Sequence, residues 1–121
     1  MKIIELAGTC SGLGALTVTS TRNIVGYIEK IEMVYADGAT GSDVTITEEG
    51  TVTQTLLVVA NAGVADLTWY PRILSNLNTD ASELASVEGN KPFITGTLKV
   101  VIAQGGANKA FRFLVYLSDE C

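Results

Sequence analysis

"IVGYIEKIEMVYA", residues 24–36, decides between two folds. At period two, Tyr27, Glu29, Ile31, Met33 and Tyr35 share one side, and Ile28, Lys30, Glu32 and Val34 the other. Apolar residues stand on both sides, which is how a long strand looks when a bulge or bend shifts its register. At helical spacing, Tyr27, Ile31 and Tyr35 occupy i, i+4 and i+8 on a single face. Gly26 and the β-branched neighbours favour the strand.

Working outward, the same pattern recurs. "KIIEL" (2–6), "GALTVTST" (14–21), "VTITEE" (44–49) and "TVTQTLLVVAN" (51–61) alternate or are rich in β-branched residues. "DLTWYP" (66–71) is a short strand stopped by Pro71, which has no N–H for a ladder. "FITGTLKVVIAQ" (93–104) reads as one long strand, and "KAFRFLVYL" (109–117) returns after the turn "GGAN". "DGATGSD" (37–43) is turn chemistry. The expectation is an all-β chain: an antiparallel β-sandwich, jelly-roll-like, of about eight strands, in a single domain over 1–121. Ile31, Val44, Ile46, Leu57, Val59, Ile94, Val100, Ile102, Phe111, Phe113 and Val115 are the expected core. The polar stretch 72–92 is long for a bare loop, with at most a short helical turn in 75–88.

Composition narrows the function. The chain has 121 residues, 47% hydrophobic and only 17% charged, with a net charge of −5. That balance excludes a general grip on nucleic acid, which needs surplus Lys and Arg. No apolar run approaches the ~20 residues that cross a bilayer, so no membrane partner is expected. The start "MKIIELAGTC" carries no signal-peptide core. There is no His, which removes the commonest general base and most zinc sites. Cys10 and Cys121 form no disulfide framework and read as free thiols. Asp37 and Asp43 do not match calcium-loop spacing. Glu48–Glu49 and Asp119–Glu120 are adjacent pairs that point to opposite faces of a strand and read as solvated turn charges. No enzyme and no cofactor is expected. A carboxylate-only hydrolase would need two acids converging in a cleft.

One cluster remains. "TWYPR" (68–72) puts the sole Trp, Trp69, beside Tyr70, Pro71 and Arg72 in a chain otherwise sparing with large residues. A lone Trp is a core anchor by size, while Trp, Tyr and Arg are also what binding hot spots contain. On the residues alone the two readings balance. The expectation taken here is core for Trp69 and partner contact for Tyr70 and Arg72, all three belonging to one candidate partner-binding site.

The order of motifs resembles a group of small tailed-phage and prophage head-associated proteins. The matching pieces are Gly26, Ile28 and Ile31; Asp43, Thr45, Ile46 and Thr47; Trp69 to Arg72; and Lys99 to Ala103 with Gly105 and Gly106. Met33 departs from the pattern, with Tyr35 placed later. The resemblance spans about residues 26–117 and implies a capsid decoration or cement protein. It would bind the major capsid protein on the virion surface, as a homo-oligomer, most simply a trimer, after assembly in the host cytoplasm. The alternative is a carbohydrate-binding β-sandwich of a phage fibre or tail, with Trp69 and Tyr70 stacking on sugars.

Overall fold

The computed structural model describes residues 2–36, 41–60, 62, 67–72 and 91–118, with 34–36 as backbone alone. Nine strands follow one another among them: β1 (Lys2–Thr9), β2 (Leu16–Thr19), β3 (Gly26–Ala36), β4 (Asp43–Glu49), β5 (Gln54–Val59), β6 (Leu67–Trp69), β7 (Phe93–Ile94), β8 (Thr97–Ala103) and β9 (Ala110–Ser118). They form two antiparallel sheets. One runs β1-β9-β3, with β6 and β7 sharing the far edge of β3, and the other runs β2-β8-β4-β5. The first four strands alternate between the sheets, as β7, β8 and β9 do again, so the sandwich is rolled in the manner of a jelly roll. Nothing described is helical. Asp37 and the 75–88 stretch lie outside the described residues, as do Asp119, Glu120 and Cys121.

The deciding stretch is a strand, and its mixed pattern has the expected cause. Register against β9 shifts between Ile28 and Lys30 and again between Met33 and Tyr35. Ile28 and then Ile31 and Met33 all reach the interior, each fully buried, although their sequence parity differs. The bulge at Glu29 carries the chain from one parity to the other.

The core lies between the sheets. Phe111, Phe113, Val115 and Leu117 of β9 face Leu98, Val100 and Ile102 of β8 and Val44 and Ile46 of β4. Two expected core residues differ. Leu57 and Val59 are half-buried and only pack against the core, because β5 is an edge strand with a neighbour on one side. A register shift opposite Ile46 and Thr47 turns Leu56 inward instead, at 8% exposure.

The expected long strand 93–104 is also broken. β7 belongs to one sheet and β8 to the other, and the chain crosses at Thr95–Gly96. Glu48 is the physical reason. It is not a solvated turn charge but a buried carboxylate on the inward parity of β4. Its Oε2 accepts the N–H groups of Thr95 (2.7 Å) and Gly96 (2.8 Å), and its Oε1 accepts Gln54 Nε2 (3.1 Å). Backbone amides at such a corner have lost their ladder and need an acceptor. Gly96 is required there: a Cβ would stand 2.6 Å from the Glu49 carbonyl oxygen.

Candidate functional site

β6 and β7 leave a gap along β3. β7 covers Gly26 and Tyr27, β6 covers Ile31 to Met33, and the bulged Glu29 lies between. Arg72 and Lys91 close this gap from opposite ends. Arg72 Nη1 donates to the Glu29 carbonyl at 3.2 Å and to the Pro71 carbonyl at 2.6 Å. Lys91 Nζ is ion-paired with the Glu29 carboxylate. The Lys91 hydrogen bond and charge, with Arg72 and the Ser118 hydroxyl adding to them, hold the Glu29 carboxyl below its ordinary range against the opposing effect of burial.

The three residues of the expected site part company. Trp69 pairs with the buried Ile31 and faces the core, half-buried because β6 is a three-residue edge strand. Pro71 is buried and ends β6. Tyr70 is 60% exposed, with the Arg72 guanidinium 6.0 Å from its ring centre, at the limit of a cation–π contact. Arg72 is exposed but tethered to backbone carbonyls, so one part of its work is to anchor the chain where it leaves the sheet.

Sheet register adds side chains that sequence reading missed. Tyr27 pairs with Phe93 across β3 and β7, with ring centres 4.8 Å apart, and Phe93 is 46% exposed. Tyr27 alternates with the buried Ile28 and so faces outward. On the same outer face Lys30 Nζ lies 4.6 Å from the Tyr116 ring centre and 3.5 Å from Glu32. The Tyr116 hydroxyl, followed by Lys30 and Thr68, lowers the Glu32 carboxyl, and Glu32 in turn raises the Tyr116 phenol. The outer face of β3 is therefore a band of aromatic rings alternating with ion pairs. Rings of this kind offer flat apolar surface, and fixed charged groups beside them bond hydroxyls. No local motif reveals it: Glu29 and Lys91, or Tyr27 and Phe93, meet only once the strands are in register.

The chain shares its fold with a solved protein. Its fold is similar to that of CBM32-1 from a family 31 glycoside hydrolase of Clostridium perfringens, with a TM-score of 0.51 and 15% identity, covering 93% of this chain and 75% of that one. At that identity the likeness is one of fold. No family model matches the chain, and no characterised protein matches it in sequence. Like the module, the chain is a sandwich of two sheets, and a sandwich holds its sheet faces rigid for a surface site.

The two acids of β4's end are committed elsewhere. Glu48 is held by three donors inside the fold. Glu49, on the opposite side of β4, binds the Thr53 hydroxyl (2.9 Å) and Lys99 (3.2 Å), which together hold its carboxyl low. Among the described residues no three of His, Cys, Asp and Glu gather as metal ligands.

Proposed function

We propose that this chain is a non-catalytic carbohydrate-binding β-sandwich that takes a glycan on the outer face of β3. The observation carrying the reading is the aromatic pair of half-buried Tyr27 and exposed Phe93, with the exposed Tyr70, flanking the Glu29–Lys91 ion pair and Arg72. The rings stack on the apolar faces of sugar rings, and the Glu29 carboxylate and the Lys91 and Arg72 cations bond the hydroxyls between them. Trp69, facing the core, is outside this platform. The similar fold of CBM32-1 supports the reading. A glycan array followed by calorimetry tests it. Tyr70→Ala and Phe93→Ala should each weaken the strongest hit by about tenfold while the melting temperature holds. An array without hits, or a hit indifferent to both substitutions, removes the glycan reading.

A second reading has its own observation. Val52, in the turn between β4 and β5, is 78% exposed, and Val58, on the edge strand β5 of the other sheet, 67%. Exposed apolar residues on an edge strand suit contact with protein. This favours the capsid decoration role that the sequence resemblance implies, with the major capsid protein as partner, a homo-oligomer such as a trimer, and a place on the virion surface. Light scattering and mixing with undecorated shells test it. A monomer that binds no shell removes it.

A further inference from the structure

The edge strands β1 and β2 face each other along one side of the sandwich; Leu16 and Val18 close against Gly8, and the side is open from there toward the Lys2 end of β1. Register partners reveal the missing wall. Val115 and Val100 are fully buried, yet Ile4, paired with Val115, and Val18, paired with Val100, are only half-buried. A cleft of about 440 Å³ runs here over Ile4, Leu6, Val18 and Ile24. Among the described residues β1 pairs only with β9, in unbroken register over Lys2–Thr9, with neither proline nor bulge to blunt its other edge.

The rim carries charge. Lys2 and Arg22 line the cleft, and among the described residues neither is in an ion pair. Glu5, also on the rim, is already bound to Arg112 at 2.7 Å. The cleft thus shows two uncommitted cations in a chain of net charge −5.

We propose that this cleft binds an extended acidic peptide segment of another protein, which adds a strand to the free edge of β1. Its backbone bonds to β1, alternate apolar side chains cover Ile4, Leu6, Val18 and Ile24, and its carboxylates meet Lys2 and Arg22. A second copy of this chain is disfavoured: in a two-fold antiparallel pairing over the whole of β1, Lys2 stands opposite Thr9 of the other copy, and the strand's one carboxylate, Glu5, is already held by Arg112. A small ligand would leave the β1 backbone edge unused. The site lies at the opposite edge of its sheet from Tyr70 and does not depend on the glycan reading.

The test uses an acetylated octapeptide alternating valine and glutamate, its lysine counterpart, and a glutamate peptide N-methylated at alternate positions. Binding is followed by amide NMR of the full chain. The glutamate peptide should shift β1 and β2 amides, and the lysine and N-methylated peptides should bind at least about tenfold more weakly. Lys2→Glu with Arg22→Glu, both on exposed side chains, should reverse the preference towards lysine with the fold intact by circular dichroism. The proposal is overturned by unshifted β1 and β2 amides, by equal affinity for the lysine or N-methylated peptide, by an unchanged preference in the double variant, or by the same amides shifting with protein concentration alone.

Discussion

The carboxylate of Glu48 holds the backbone N–H of Gly96 at 2.8 Å, at the corner where the chain leaves one sheet for the other. Removing it orphans two amides in the interior at once. Glu48→Ala should cost about 2–4 kcal/mol, and Glu48→Gln, which keeps one acceptor oxygen, about half as much. Urea denaturation reads both. An unchanged midpoint for the alanine variant would show that the corner needs no acceptor.

Trp69 packs against the core from a short edge strand and keeps part of its surface in water. Trp69→Ala should therefore cost about 2 kcal/mol, below the ~3–5 of a fully buried ring. Thermal melting measures it. A variant with wild-type melting would place Trp69 outside the fold's support altogether.

Glu29 sets the acid limb. Its folded-state pKa is lowered from the ordinary 4.5, first by the Lys91 hydrogen bond. The folded chain therefore holds the charged form more strongly than the unfolded chain does. That stabilisation is complete above about 4.5 and is lost as pH falls through the lower folded value. Glu32 and Glu49 shift in the same direction. Melting temperature should decline below pH 4.5, and Glu29→Gln should decline less steeply over that window. An identical slope would remove Glu29 from the acid limb.

Cys10 is a free thiol at 2% exposure, and burial pushes its pKa up. A buried, protonated thiol is a poor nucleophile. Iodoacetamide should leave Cys10 unmodified in the native protein and label it in denaturant, as peptide mass spectrometry can show. Fast native labelling of Cys10 would mean that the turn at 9–15 opens readily.

The sandwich was legible because alternation is local: Phe111 to Leu117 and Val44 to Ile46 declare an inward face within one strand. The break at Thr95–Gly96 was not, since its cause, Glu48, lies nearly fifty residues earlier and looked like one of two turn acids. Tyr70 could be singled out from its own neighbours. Its company on the outer face could not, because Tyr27 meets Phe93 and Glu29 meets Lys91 only through strand register. The bulge at Glu29 was visible as a flaw in the alternation, but the gap it opens for Arg72 was not.

The strand order also has a consequence for how the chain is made. β9 sits between β1 and β3, with Lys2 paired to Leu117 and Ile31 to Val115, yet it follows every other described strand in synthesis. Until it emerges from the ribosome, β1 and β3 have no common neighbour and the core lacks Phe111, Phe113, Val115 and Leu117. Pairings this distant along the chain make closure slow. A nascent chain halted before residue 110 should stay protease-sensitive and chaperone-bound, and emergence of β9 should be the event that commits it to the native state.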